Sequence, residues 1–314
     1  MRSRKMVLRA GALLAVLVLS AIVIARQYAG TGPDTPSDMP YVALGDSYTS
    51  GPRIPDQTGR PPGCARSTRN YPALVARELG IPAADVRDMS CSGATIASLS
   101  ATQDTGDGVN AAQITALNRR TRLVTLGIGG NDVGFSEVFE RCVAQGLVYR
   151  LTGGAQLFGR DAPCRRRYLR ADADRLQKRI DAAGARLART LVTIAGRAPR
   201  AAVFVVGYPA LLPARKTSCA GMVLAPGDVD FLRRTELSLN RMLRQRAEET
   251  GAIYVDTYAP STDHDACAPA GRRYVEPLHP ASAAAPLHPN ARGESVMAHA
   301  VLGTMRKEGV PAVS

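Results

Sequence analysis

The sequence predicts a three-layer α/β sandwich in which a mainly parallel sheet is covered on both faces by helices. Two observations carry this: short apolar runs alternate along the chain with longer segments of helical periodicity, and the Gly-, Ser- and Asn-bearing motifs stand just after the runs. In such sheets the chemistry lies beyond the carboxyl ends of the strands. The 314 residues would suffice for two average domains, but one α/β domain over residues 41–314 is expected once the first forty are set aside.

Tyr41 to Gly45 is an apolar run closed by Gly-Asp-Ser, a buried first strand that delivers Ser47 to its carboxyl end. Tyr71 to Leu79 reads as a helix, Val86 to Met89 as a weak strand before Ser92-Gly93, and Arg122 to Gly127 as a stronger strand before Gly129-Gly130-Asn131-Asp132. Helical signals resume at Val133. Asp172 to Ala195 carries Leu176, Ile180, Leu187, Leu191 and Ile194 at helical spacing, and Ala201 to Gly207 is a strand stopped by Pro209. Phe231 to Thr250 is an amphipathic helix ended by Gly251, Ala252 to Asp256 is the next strand, and Pro289 to Met305 closes the chain as a helix with Pro in its first turn. No internal repeat appears, and no Gly-x-Gly-x-x-Gly follows the first strand, which disfavours a dinucleotide cofactor.

Residues 1–25 stand apart. Arg2, Arg4, Lys5 and Arg9 precede sixteen residues, Ala10 to Ala25, that hold no charge. That run suits an export signal and is slightly short for a spanning helix, so the segment is either cleaved or kept as an N-terminal anchor. Residues 26–40, with Pro33, Asp34, Pro36, Ser37 and Asp38, form a polar linker. The net charge of +13 falls to +9 without the four basic residues of the signal, and the rest is diffuse. The run Arg165, Arg166, Arg167 and Arg170 has no aromatic interleaving or binding motif beside it, so a solvated face is expected there and no nucleic-acid partner. Cys64, Cys91, Cys142, Cys164, Cys219 and Cys267 are even in number and too widely spread for a zinc cluster; in an exported chain they imply disulfides, for which fifteen pairings exist.

Four blocks carry chemistry: Gly45-Asp46-Ser47-Tyr48, Ser92-Gly93-Ala94-Thr95, Gly129-Gly130-Asn131-Asp132 and Pro286-Leu287-His288-Pro289-Asn290. Singly, each has an ordinary explanation as a turn or a helix cap. Together and in this order they resemble the SGNH (GDSL-type) hydrolase family, over about Tyr41 to Thr304. Cys64-Ala65-Arg66-Ser67 followed by Asn70-Tyr71-Pro72 is similar to the first long loop of its secreted actinobacterial lipases and esterases. The resemblance implies a flavodoxin-like five-stranded sheet and a serine ester hydrolase without metal or organic cofactor. It implies Ser47 as nucleophile, His288 as base, and an oxyanion hole of Ser47, Gly93 and Asn131, with cysteines paired in sequence order. The residue types suit the chemistry. An alcohol is a poor nucleophile at neutral pH and needs a base within reach, and the tetrahedral intermediate needs donors aimed at its oxyanion.

The family's acid, three residues before the histidine, is replaced by Ala285, so a Ser-His dyad is expected, the imidazole being oriented by the carbonyl of Ala285 or an immediate neighbour. A rival base exists in His279, since Glu276-Pro277-Leu278-His279-Pro280 repeats the tetrapeptide with an acid in place; His288 is preferred because Asn290 and Gly293 continue its block into a helix, and Glu276 is then dispensable. His264 reads as a loop histidine and His299 as structural. The expected partners are an ester or lipid substrate and a membrane surface, the expected state a monomer, and the expected location outside the cytoplasmic membrane. Two alternatives keep the same fold: a deacetylase or acyltransferase of cell-envelope polysaccharide, and a catalytically silent envelope-binding protein.

Overall fold

A computed structural model describes residues 40–154, 162–169, 175–214, 219 and 221–310. The expected signal, the linker up to residue 39, and parts of the loops Leu147 to Asp161 and Tyr208 to Asp230 lie outside the described residues.

Five strands, β1 (Tyr41–Gly45), β2 (Val86–Asp88), β3 (Leu123–Gly127), β4 (Ala202–Val206) and β5 (Ile253–Val255), form a wholly parallel sheet in the order β2-β1-β3-β4-β5. That is the doubly wound, flavodoxin-like order. The connection out of β1 runs to one side and that into β3 to the other, which opens a crevice at the carboxyl ends of this pair. Register aligns Tyr41 with Leu123 and Gly45 with Gly127, so both strands end level. Side chains alternate between two cores, as the period of a strand requires. Val42, Leu44, Val124 and Leu126 pack toward the helices α7 (Arg175–Arg197) and α8 (Pro226–Glu249), whereas Tyr41, Ala43, Leu123 and Phe204 pack toward α2 (Tyr71–Glu78) and α9 (Ala291–Lys307). Both faces being covered explains why the strands read as apolar runs without alternation.

Two helix boundaries differ from the sequence expectation. α8 begins at Pro226, not Phe231, because a proline fits the first helical position, where no N–H is required. The helical signal from Val133 resolves into α4 (Gly130–Val133) and α5 (Phe135–Leu151), divided at Gly134 with φ +70°. Short helices α1 (Ser47–Ser50), α3 (Ile96–Ser100) and α6 (Pro163–Tyr168) complete the set. The disulfides are Cys64–Cys91, Cys142–Cys164 and Cys219–Cys267. They span 27, 22 and 48 residues. By loop entropy each contributes roughly 3 to 4 kcal/mol.

Candidate active site

Ser47 owes its position to the end of β1. Asp46 caps α1, its Oδ1 accepting from Tyr48 N at 2.9 Å, and leaves Ser47 as the first helical residue. This turn tolerates no side chain at position 45: a Cβ there would collide with Thr49 Oγ1 and Gly127 O. Ser47 N donates to no group among the described residues, which leaves one orphan donor of the helix start on a residue that lines the cavity.

His288 meets Ser47 with Nε2 at 2.8 Å from Oγ. Its Nδ1 lies 2.7 Å from the carbonyl of Pro286, which can only accept; Nδ1 therefore carries the proton, and Nε2 is free to accept from the hydroxyl. The orienting carbonyl is thus that of Ala285's neighbour, while Ala285 O accepts from His288 N at 3.2 Å and shapes the turn. Burial holds the imidazole below its ordinary 6.5, the Pro286 bond opposing this and Arg53 adding to it.

The loop that presents His288 is fastened by polar contacts. Leu287 sits at φ +64°, a strained conformation for a non-glycine residue, with its N–H donating to Glu276 O and its carbonyl accepting from Tyr48 Oη at 2.5 Å. The buried Glu276 carboxylate accepts from Ser282 Oγ at 2.7 Å, Asn290 Nδ2 at 2.8 Å and Ala281 N at 2.8 Å. Burial raises its pKa, but these donors outweigh that and leave it below the usual value. His279 is exposed, and the ring nitrogen that meets Ser47 Oγ is that of His288. The Glu276 carboxylate is thus engaged with the loop and with Asn290, the N-cap of α9, and what it supplies there is positioning of the loop.

Asn131 lies in the first turn of α4, one Nδ2 hydrogen donating to Ala94 O at 2.8 Å. Gly93 stands on the turn after Cys91 with φ +77°. Its N–H donates to no described group, although Gly93 is not part of the cavity wall. Asp132 ties the two blocks together, Oδ2 accepting from Ile96 N at 2.9 Å and Oδ1 pairing with Arg186 at 3.1 Å.

The cavity beside Ser47, Asn131 and His288 has a volume of about 240 Å³ and walls that include Phe135, Leu211 and Leu239. Sequence reasoning missed Tyr208 and Tyr48. Tyr208 Oη accepts from Gly130 N at 2.8 Å and donates to Asp46 Oδ2 at 2.5 Å, joining the nucleophile turn to the Asn131 turn. Tyr48 packs its ring 5.0 Å from those of both Tyr208 and His288. Tyr208 follows β4 directly, so the rule of looking after each strand would have found it. Burial, opposed by the bonds from Tyr208 and Tyr48, pushes Asp46 up to about 7. Among the described residues no cluster of His, Cys, Asp or Glu is able to hold a metal ion.

The model of the GDSL-like Lipase/Acylhydrolase family matches residues 43–296. Lipase 2 of Streptomyces coelicolor is 38% identical over 277 residues, which are 87% of this chain and 88% of that protein. An esterase of Streptomyces scabiei is 29% identical, with 82% and 81% covered. Among solved structures, phospholipase A1 from Streptomyces albidoflavus superposes with a TM-score of 0.62 at 28% identity, covering 84% of this chain and 98% of that one. The extracellular lipase from Streptomyces rimosus gives 0.63 at 26% identity, covering 85% and 99%.

Proposed function

This chain belongs to the GDSL-like lipase/acylhydrolase family and is a carboxylic ester hydrolase, and we propose that it works through an acyl-Ser47 intermediate with a Ser47-His288 dyad. The observation that carries this reading is the 2.8 Å contact from Ser47 Oγ to a His288 Nε2 that is free to accept. Nε2 takes the hydroxyl proton as Oγ attacks the ester carbonyl. Ser47 N, Gly93 N and Asn131 Nδ2 donate to the oxyanion. Collapse of the intermediate expels the alcohol, which receives the proton from Nε2; a water then repeats the sequence on the acyl-enzyme and frees the acid. Holding His288 below 6.5 keeps the base neutral at pH 7, so activity should decline only as pH drops through that lower value. The apolar walls suit an acyl chain.

Export is part of the proposal. It is supported by the basic-then-apolar start, by six cysteines all in disulfides, and by similarity to a lipase described as extracellular. Among the described residues no helix is long and apolar enough to cross a membrane. The test is a fluorophosphonate probe with p-nitrophenyl esters from acetyl to palmitoyl. Labelling at Ser47 and turnover that vanishes in Ser47→Ala are expected; labelling elsewhere refutes the dyad, and a blank panel favours the silent binding protein.

A further inference from the structure

Two of the oxyanion donors stand on separate turns, Ser47 N at the start of α1 and Asn131 Nδ2 in α4. Donors that grip one oxygen must keep a fixed spacing, because a displacement of even 1 Å or less costs much of the stabilisation. β1 and β3 supply that register only as far as they run. Past Gly45 the backbones meet once more, Asp46 N donating to Gly127 O at 2.9 Å. Beyond that bond, no hydrogen bond among the described residues passes directly from residues 47–51 to residues 128–134.

A third residue makes the join. Tyr208 Oη accepts from Gly130 N, one residue before Asn131, and donates to Asp46 Oδ2, one residue before Ser47. The other oxygen of that carboxyl caps α1. One hydroxyl therefore holds both the carboxyl that fixes the nucleophile helix and the N–H that opens α4.

The hydroxyl is itself firmly mounted. Tyr208 N donates to Asn240 Oδ1 at 2.8 Å, and Asn240 Nδ2 donates to Tyr208 O at 2.9 Å, so a buried amide of α8 clamps the tyrosine backbone on both sides. The ring stands edge-on to that of Tyr48, at an interplanar angle of 77°. The fit at Gly130 is close: a Cβ there would lie 3.2 Å from Tyr208 Oη and 3.3 Å from Cζ. A phenyl ring would fill the same space, so what the hydroxyl adds is the link between the two turns.

We propose that Tyr208 is a positioning residue of the oxyanion hole: its hydroxyl, anchored through Asn240 to α8, sets the spacing between Ser47 N and Asn131 Nδ2. It acts through those two donors and not on the substrate. That role rests on the reading that Ser47 is the nucleophile and Asn131 an oxyanion donor.

The test is a double-mutant cycle on hydrolysis of a p-nitrophenyl ester, with kcat expressed per site titrated by a fluorophosphonate so that unfolded molecules do not count. Tyr208→Phe should lower kcat about tenfold with KM little changed. If the loss comes from a misplaced Asn131, it must shrink once that donor is gone. In the Asn131→Ala background Tyr208→Phe should therefore cost no more than about threefold. Asn240→Ala, which keeps the hydroxyl and removes its mount, should lower kcat by about threefold and lose that effect in the same background. A hydroxyl that served the fold alone would lower the melting temperature and leave the two losses multiplicative, and one that bound substrate would raise KM. Either result, or a Tyr208→Phe enzyme with the kcat of wild type, overturns the proposal. Unaltered kcat in Asn131→Ala, or labelling away from Ser47, would instead sink the reading beneath it.

Discussion

Ser47 and His288 touch at 2.8 Å, but their mounts differ in kind. Ser47 is carried by the sheet. β1 is buried along its whole length between two cores and its ladder to β3 ends level with Gly45, so hydrophobic burial and backbone register place the nucleophile. His288 is carried by a stretch with one isolated bridge, Val275 to Pro289, whose apolar anchors are Val275 in the core and Leu278 and Leu287 packed against it. Beyond those anchors the fixing is polar: the Glu276 carboxylate, the Pro286 and Leu287 carbonyls and the Asn290 cap. A sheet-borne group is secured by many weak contacts that few single changes remove, whereas a loop-borne group depends on a few strong ones. Damage to the second mount should therefore be easier to inflict.

Removing either partner outright gives the largest effect. Ser47→Ala and His288→Ala should each lower kcat about 10⁴-fold or more, with the melting temperature little changed, while His279→Ala keeps most activity. Steady-state ester hydrolysis checks this; an inactive His279→Ala beside an active His288→Ala would require a Ser47, His279, Glu276 triad.

Next in size is the oxyanion side, which belongs to the sheet-borne half. Asn131→Ala should reduce kcat roughly 100-fold or more with KM little altered, since its free Nδ2 hydrogen acts mainly on the transition state. An effect confined to KM would remove that role. Asp132→Ala should act the other way, lowering thermal stability through the loss of its bonds to Ile96 and Arg186.

The same asymmetry separates what could be read in the sequence from what could not. The strands, their order of motifs and the positions of Ser47 and Asn131 were legible because burial on both faces leaves an apolar run and the motif follows it at once. His288 was legible only through its family block, and the polar scaffold around it was not. Glu276 bonds to Asn290 fourteen residues away by a side-chain contact that no local period encodes, and Tyr48 reaches Leu287 across 239 residues. Its spacing to His279 made Glu276 look like a catalytic acid when its work is in the loop. A glutamate in the cavity wall escaped for a similar reason: within an amphipathic helix, Glu236 looks like any surface acid, and only the packing of Leu211 against it shows that it is buried.

Cutting the loop mount at its centre should cost less than cutting the site. Glu276→Ala leaves Ser282 Oγ and Ala281 N without their acceptor, takes one of two acceptors from Asn290 Nδ2, and should destabilise the fold by about 2 kcal/mol, with Glu276→Gln retaining most activity. The sign with pH follows from a folded pKa below the ordinary 4.5: this stabilisation is present in full above 4.5 and is lost as pH falls through the lower folded value. Melting curves of wild type and Glu276→Ala should therefore differ most at pH 6 to 7 and converge in acid. A difference that grows in acid would reject the ionised scaffold.

The smallest effect tests the join between the two mounts. Tyr48 stands on α1 beside Ser47, yet its hydroxyl donates to Leu287 O, the carbonyl just before His288, at 2.5 Å, and its ring packs against the imidazole. It ties the loop-borne base to the sheet-borne nucleophile. Tyr48→Phe deletes one neutral hydrogen bond and keeps the ring, which should cost about 1 kcal/mol, or roughly fivefold in kcat, because the loss is felt in the alignment of Nε2 with Oγ rather than in substrate contact. KM should move little, and Asn131→Ala should still give its own full loss on top of it, since the two residues act on different halves of the dyad's surroundings. Tyr48→Leu, which removes the ring as well, should lose more than Tyr48→Phe and lower the melting temperature too. If Tyr48→Phe instead matched wild type in kcat while His288→Ala stayed inactive, the polar contacts of Glu276 and Pro286 would suffice to hold the base, and the two mounts would be independent.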